Sequence, residues 1–326
     1  MKIPIRISLL GFGLLALLRT AAYAEAGGNA LWGVAVVDAN TLVAVGRSGT
    51  IILSADGGQT WTFQSSGTPD LKGVAFADGQ TGAAVGDSGT ILLSTDAGQS
   101  WSPAESGTDA NLRSACLVGQ TGTAVGSAGT ILRTTDGGAS WAPQSSGTSL
   151  ELYGVHCISE NTVIVVGEQG TILRTDDGGD TWSQAPSGTD AALIALAFVD
   201  DQIGWAAGGR NILRTSDGGH TWTPNFTTEA WFQYLTGISS ADADHVIAVG
   251  RGGRFGELSF IVRSADGGQT WTSDTHPYSV CPNPDHGLRS VAMLDPQTAI
   301  AVGDTGAILR TTDGGASWKA VGRCAP

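Results

Sequence analysis

Basic residues and long apolar segments are scarce in this sequence. Among 326 residues, 17 are Lys or Arg and 30 are Asp or Glu. Such an acidic chain repels phosphate backbones, so no nucleic-acid partner is expected. Beyond residue 24 no segment is apolar enough to cross a membrane. The five histidines lack the spacing of a metal site, and no Gly-rich phosphate loop opens a helix, so neither a metal nor another cofactor is expected.

The one long apolar run is at the N-terminus. Lys2 and Arg6 precede the run "ISLLGFGLLALL", and "AYA" at Ala22 to Ala24 is a small-x-small cleavage pattern. This order predicts a cleavable signal peptide over residues 1–24, with a single membrane anchor as the alternative. No cysteine follows the run, which disfavours a lipoprotein. Cleavage would leave 14 basic and 30 acidic residues, a formal charge of −16, in a protein exported to the periplasm or secreted.

Long stretches with helical periodicity are also missing. The 48 glycines, together with Asp, Ser and Thr clusters, separate short apolar runs rich in β-branched residues. This pattern is typical of many short strands joined by tight turns, so an all-β fold is expected.

One motif, S/T-x-D-G/A-G-x-T/S-W, recurs through the chain at intervals of 40, 40, 41, 40, 49 and 47 residues. The segment before each copy reads "G-T-I-L" or a close variant, and an "A-V-G" segment precedes that. The seven copies are Ser54–Trp61, Ser94–Trp101, Thr134–Trp141, Thr175–Trp182, Thr215–Trp222, Ser264–Trp271 and Thr311–Trp318.

Each repeat therefore contains four short strands, A to D, in about 40 residues, which is the size of a propeller blade. Closing seven blades into a ring removes most exposed sheet edges. We predict a single seven-bladed β-propeller over residues 25–326, with an open β-solenoid as the alternative. The expected blades lie near 31–66, 71–106, 111–147, 152–188, 193–226, 234–275 and 288–323.

The motif aspartates have a structural explanation. A carboxylate can accept backbone N–H bonds inside a tight turn, the following glycines permit positive φ, and the tryptophan packs against the hairpin. A catalytic group is not needed seven times. The motif is therefore expected to build the C–D turn of each blade through Asp56, Asp96, Asp136, Asp177, Asp217, Asp266 and Asp313.

This motif is the Asp-box, or BNR, repeat, which is scattered through sialidases and other glycosidases. Its presence in all seven units resembles the photosystem II stability/assembly factor family, and the resemblance covers about Gly27 to Trp318. It implies a lumenal or periplasmic propeller, in the thylakoid lumen if the source is photosynthetic. It also implies an arginine-rich patch on one face, for which "GRGGRFGE" is a candidate.

The turns that follow the "A-V-G" strands differ between blades and therefore are candidates for a binding site. Asp87, Glu168 and Asp304 supply acids in three of these turns. Arginines in or near the other turns can bind carboxylates by bidentate hydrogen bonds. The alternative is that these turns form only a solvated polar rim. The candidate arginines are Arg47, Arg210, Arg251 and Arg254.

Longer segments between blades 5 and 6, inside blade 6, and between blades 6 and 7 are expected to project on one face. Aromatic and arginine side chains on loops are typical of protein-binding hot spots. The alternative is that the aromatics only pack the loops down. The aromatic candidates near Arg251 and Arg254 are Trp231, Phe232, Tyr234, Phe255 and Tyr278.

Four cysteines in an exported protein suggest disulfides. Cys116 and Cys157 each lie ten residues before the glycine of an "A-V-G" strand, at a core position, which favours buried free thiols. Cys281 precedes blade 7 and Cys324 follows its last strand, so a Cys281–Cys324 bridge is expected to pin the C-terminus.

An enzyme is disfavoured because no paired carboxylates, no sialidase "RIP" segment and no matching arginine triad are found. We predict an exported, non-catalytic and monomeric scaffold or assembly factor that binds a membrane protein complex from the periplasmic or lumenal side. The alternatives are a periplasmic accessory of a transporter or envelope system, and a secreted glycan-binding protein or divergent glycosidase.

Overall fold

The structure is a computed structural model that describes residues 29–253, 258–276 and 287–321. Seven separate sheets of four antiparallel strands follow one another along the chain, each in the order A-B-C-D. Every A strand contacts the A strands of both neighbouring sheets, and the first contacts the last. The A strands therefore surround a central axis, and the predicted seven-bladed β-propeller is confirmed.

The strands within each blade are short, as the spacing of turn residues predicts. The A strands are β1 (Leu31–Val36), β5 (Leu71–Phe76), β9 (Leu112–Val118), β13 (Leu152–Cys157), β17 (Ala195–Phe198), β21 (Tyr234–Ser240) and β25 (Leu288–Met293). The B strands are β2 (Leu42–Gly46), β6 (Gly82–Gly86), β10 (Thr121–Gly126), β14 (Val163–Gly167), β18 (Gly204–Gly208), β22 (His245–Gly252) and β26 (Ala299–Gly303).

The outer half of each blade has the same hairpin arrangement. The C strands are β3 (Thr50–Ser54), β7 (Ile91–Ser94), β11 (Ile131–Thr134), β15 (Ile172–Thr175), β19 (Asn211–Thr215), β23 (Leu258–Ala265) and β27 (Ile308–Thr311). The D strands are β4 (Thr62–Ser65), β8 (Ser102–Ala104), β12 (Ala142–Gln144), β16 (Ser183–Gln184), β20 (Thr223–Thr227), β24 (Thr272–His276) and β28 (Lys319–Ala320). Short 3₁₀ turns at Arg47–Gly49, Ser127–Gly129, Glu168–Gly170 and Asp304–Gly306 join four of the B–C pairs.

The hydrophobic core lies between the blades rather than inside any one of them. Seven clusters of buried side chains each join two adjacent blades, and the seventh joins blade 7 to blade 1. At this last joint Arg310 Nε donates to the Gly57 carbonyl at 2.8 Å. Arg174 makes the same type of bond to Gly218 in the next blade. The joint between blades 7 and 1 is therefore closed by hydrophobic packing and by an arginine–carbonyl hydrogen bond of the kind also found between blades 4 and 5.

The Asp-box occupies the C–D turn, and its seven copies share one hydrogen-bond network. Asp56 shows the pattern: its Oδ1 accepts from the Ser54 hydroxyl at 2.8 Å and the Thr60 N–H at 2.9 Å, and its Oδ2 accepts from the Thr60 hydroxyl at 2.6 Å. Each other aspartate has the equivalent three bonds. These bonds favour the ionised carboxylate and lower the pKa of Asp136, Asp217 and Asp313 to about 2.

The expectation of free thiols at Cys116 and Cys157 is wrong, because the two form a disulfide with a Cα–Cα distance of 5.6 Å. In strand register Cys116 pairs with Thr123, three residues before the B-strand glycine, whereas Cys157 pairs with Val163, four residues before it. The A–B hairpin of blade 3 is one residue shorter, so the two positions are not equivalent. Successive strand residues point to opposite faces, so the two thiols face each other across the joint between blades 3 and 4.

Candidate functional site

A β-bulge near the start of strand A distinguishes the inner strands of six blades. In blade 1 the register passes from Leu31 opposite Gly46 to Gly33 opposite Val45, which leaves Trp32 unpaired. A bulge re-aims its extra side chain, here into the central opening. The equivalent residues of blades 2 to 7 are Lys72, Arg113, Tyr153, Ile194, Thr236 and Arg289, of which Ile194 has no bulge. We call these seven residues the cavity ring.

The glycine that ends each "A-V-G" strand makes this bulge possible. A Cβ atom on Gly86 would lie 2.0 Å from the Asp70 carbonyl oxygen, which is an impossible contact. The same close approach allows the Asp87 N–H to bond the Asp70 carbonyl at 2.9 Å. The repeated glycine is therefore required by the backbone geometry that presents the cavity ring.

The cavity ring surrounds a central cavity of about 740 Å³. We define the B–C face as the face that carries the B–C turns and the connections between blades, and Ala191, Gly209 and Arg251 of this face contribute to the cavity lining. Below the ring, the wall is formed by small and aliphatic residues, including Gly73, Val74, Val155, Leu196 and Ile238. The site thus has a polar and aromatic mouth above an apolar throat, a combination that is typical of ligand pockets.

Carboxylates hold the basic residues of the ring in place. Lys72 Nζ lies 3.2 Å from Asp70 and 3.3 Å from Asp87, with only 17% of its side chain exposed. It also lies 3.5 Å from the centre of the Trp32 ring, which is a cation–π contact between adjacent blades. The ammonium group is thereby fixed at the cavity mouth.

Two other turn acids act in the same way. Asp304 accepts from Arg289 Nε at 2.9 Å and Nη2 at 3.1 Å, and Glu168 accepts from the Tyr153 hydroxyl at 3.3 Å. Burial, followed by the charge of Glu168, raises the pKa of Tyr153 above its ordinary value. In blade 3 the ring residue reaches across a joint, since Arg113 lies 3.5 Å from Glu151 of blade 4.

Arg251 differs from these residues in its surroundings. It lines the cavity, and within the described part of the chain no carboxylate lies within ion-pair distance of it. Burial lowers its pKa, and the nearby positive charge of Arg289 lowers it further. Arg251 and Arg289 thus lie near each other with one carboxylate, Asp304, which bonds Arg289. This imbalance favours a carboxylate or another anionic group of a ligand.

The residues predicted from the sequence lie in different surroundings. Arg251 and Tyr234 line the cavity. Trp231 is 70% exposed and Tyr234 is 48% exposed, on the connection between blades 5 and 6, and the rings of Trp231 and Phe232 meet edge to face at 5.7 Å. Arg47 is exposed in its turn, outside the cavity lining.

Arg210 is not directed at the cavity. Its guanidinium donates to the backbone carbonyls of Thr228 and Glu229 and thus binds the connection to blade 6. Several other predictions lie outside the described residues: the signal peptide over 1–24, Arg254, Phe255, Tyr278, and the bridge between Cys281 and Cys324.

Sequence reasoning missed most of the cavity ring. Trp32, Lys72, Arg113 and Arg289 were not singled out, although their position varies strongly between repeats while a leucine precedes it in all seven. Aligning the seven repeats with one another would identify these residues as a variable position after an invariant leucine.

Over the ranges that the structure describes, no group of His, Cys, Asp and Glu side chains is arranged to hold a metal ion. In the same ranges no helix is long and apolar enough to cross a membrane.

These features define the class: a seven-bladed Asp-box β-propeller with one ligand-sized cavity at its axis. The sequence model of the family described as "Photosynthesis system II assembly factor YCF48" matches residues 68–192 and 182–324. The chain therefore belongs to the YCF48 assembly factor family.

Solved structures with a similar fold include two YCF48 structures and a GH74 enzyme. The structure described as "YCF48 bound to D1 peptide" has a TM-score of 0.67 and 20% identity, over 88% of this chain and 92% of that one. YCF48 from Cyanidioschyzon merolae has a TM-score of 0.66 and 20% identity, over 89% and 97%. The GH74 enzyme of Niastella koreensis reaches a TM-score of 0.72 at 16% identity, over 90% of this chain and 54% of that one. A search of the curated proteins found no match.

Proposed function

We propose that this protein is a non-catalytic assembly factor that binds an extended segment of a membrane-protein client in its central cavity. Membership of the YCF48 family supports this role. The relative that was solved with a D1 peptide supports a photosystem II subunit as the class of client.

The single observation that carries the proposal is the cavity ring. It surrounds about 740 Å³ with aromatic surfaces and with cations that acids of the B–C face hold at fixed positions. Fixed donors bind a peptide at low entropic cost because the side chains need not be ordered on binding. The apolar throat accepts a side chain of the segment, and Arg251 beside Arg289 accepts a carboxylate.

The same contacts support a binding role rather than hydrolysis. A glycosidase needs one carboxyl group free to donate a proton and a second one placed across the scissile bond. Asp87, Glu168 and Asp304 instead bond Lys72, Tyr153 and Arg289 of the cavity ring. Acids in such contacts position the side chains of the cavity ring and are poorly suited to proton transfer.

The Cys116–Cys157 bond supports a location outside the cytosol, because structural disulfides persist in oxidising compartments. With the predicted signal peptide over residues 1–24, this favours a protein that works on the periplasmic or lumenal side of a membrane.

The first experiment is cross-linking of the tagged protein in its own envelope, followed by mass spectrometry. Photosystem subunits among the products would support the proposed client. A different membrane complex would reassign the client and favour the accessory role, and the absence of any protein product would favour the glycan alternative.

The second experiment tests the cavity with a synthetic D1 peptide. Arg251→Glu is expected to weaken binding, while Lys319→Glu makes the same charge change on the outer strand β28, away from the cavity. Equal loss of affinity in the two variants would point to net charge alone and would contradict a cavity site.

A further inference from the structure

The connection between blades 5 and 6 presents the exposed aromatic surface of the described chain. Trp231 and Tyr234 are the large hydrophobic side chains found exposed within the described residues, and Phe232 packs against Trp231. Tyr234 also lines the cavity and begins β21. We call Trp231, Phe232 and Tyr234 the aromatic ledge, which continues the cavity wall outward onto the B–C face.

The ledge is held at both ends by the B–C turn of blade 5. Arg210 donates through Nη2 to the carbonyls of Thr228 and Glu229, the latter at 3.1 Å, and through Nε to the Thr228 hydroxyl at 3.3 Å. The Thr228 N–H donates back to the Arg210 carbonyl at 2.8 Å. At the other end the Leu235 N–H donates to the Gly209 carbonyl at 2.8 Å.

The hydrogen bonds from the Arg210 side chain are specific to arginine. A planar guanidinium reaches two carbonyls and a hydroxyl at once, and a lysine ammonium cannot reproduce that fork. Thr228 is 1% exposed and Gln233 is 9% exposed, so the backbone beneath the exposed aromatics is buried. The aromatics are therefore presented by a fixed segment rather than by a loose loop.

We propose that Arg210 is a positioning residue that preforms the aromatic ledge, and that the ledge is a second contact for the client segment seated in the cavity. This inference rests on the proposed function. It specifies the side on which the client segment leaves the cavity and the type of side chain that the segment has at that point. Because the ledge adjoins the cavity through Tyr234, the occupant is the same extended segment, with an apolar side chain placed over Trp231.

The test measures the affinity of the synthetic D1 peptide for Trp231→Ala, Arg210→Ala and Arg210→Lys. Trp231→Ala is expected to weaken binding about tenfold, as for an aromatic hot spot. Arg210→Ala is expected to weaken it roughly three- to tenfold, because the ledge must then be ordered on binding. Arg210→Lys keeps the charge and is expected to fail to restore affinity. Lys319→Ala, which removes a charge from an outer strand, is expected to bind normally.

A readout on the free protein separates positioning from direct contact. Acrylamide quenching of Trp231, obtained as the difference from a Trp231→Phe background, is expected to change in Arg210→Ala before any peptide is added. If Arg210→Ala fails to fold, Thr228→Val removes the hydroxyl acceptor of Arg210 Nε and leaves the two carbonyl bonds, so a smaller change in the same direction is expected.

Restored affinity in Arg210→Lys would overturn the positioning role. Normal affinity in Trp231→Ala, together with loss of binding in Arg251→Glu, would overturn the ledge contact and leave the cavity proposal standing. A wild-type protein that does not bind the peptide would remove both.

Discussion

His156 provides a sharp test of how tightly the blades are packed. It lies in β13, and its ring stacks on Phe198 of blade 5 with centroids 5.1 Å apart. Burial lowers its pKa from 6.5 to about 4. The folded protein therefore keeps His156 neutral at pH values where the unfolded chain takes up a proton. The contribution of neutral His156 to the free energy of unfolding is fully present above pH 6.5 and is lost as the pH falls from 6.5 towards 4.

The magnitude follows from the shift. One pH unit of differential protonation corresponds to about 1.4 kcal/mol, so lowering the pH from 7.5 to 4.5 should reduce the free energy of unfolding by about 2.5 kcal/mol through His156. The Asp-box carboxylates add little in this range, because their lowered pKa values affect stability mainly below pH 4.

The assay is urea unfolding at several pH values for the wild type and for His156→Ala. Alanine occupies the equivalent strand position in four other blades, at Ala35, Ala75, Ala197 and Ala292. The variant is expected to lose packing energy at all pH values but to show a flatter dependence between pH 7.5 and 4.5. Parallel curves for the two proteins would refute the claim that His156 stays neutral in the folded protein.

Three further predictions concern the turns and the joints. Cys116→Ser with Cys157→Ser should lower the free energy of unfolding by about 4 kcal/mol, since the bond closes a 41-residue separation; a reductant should then destabilise only the wild type in urea unfolding. Ala97 has a φ of 62° and occupies the position where the six other Asp-boxes have glycine. Ala97→Gly should therefore increase the free energy of unfolding by about 0.5–1 kcal/mol, which a higher melting temperature would show. Asp56→Asn should cost about 1–3 kcal/mol in urea unfolding through its turn bonds and leave D1-peptide affinity unchanged; weaker peptide binding at full stability would contradict its structural role.

The fold was predictable because seven repeats each show the same pattern of four short strands and one Asp-box turn. Each Asp-box predicts a tight C–D turn, and the network around Asp56 shows why the aspartate, the hydroxyl residues and the glycines recur together. The disulfide was not predictable by counting back from a glycine. One residue fewer in the hairpin of blade 3 turns Cys116 to the opposite face of its strand, and only the strand register reveals this.

The candidate site was predictable only in part. The B–C turns did supply Arg251, and the longer connection supplied Tyr234, both of which line the cavity. Arg210 was expected to face a partner, yet its donors are used by neighbouring backbone. A turn sequence shows that an arginine is near the surface, but whether its donors meet solvent or a carbonyl depends on contacts between distant segments.

Under the proposed function, the cavity ring would let a propeller bind a different client without a change of fold. The leucine before each ring position is buried in the joints, and the residue after it is Gly, Ser or Ala because the next blade approaches closely. A Cβ atom on Gly73, for example, would lie 2.9 Å from the Arg113 carbonyl oxygen. The ring side chain between these fixed neighbours points into the cavity. Substitutions there should therefore alter what the cavity binds more than they alter stability, and the ring position is where relatives with different clients should differ.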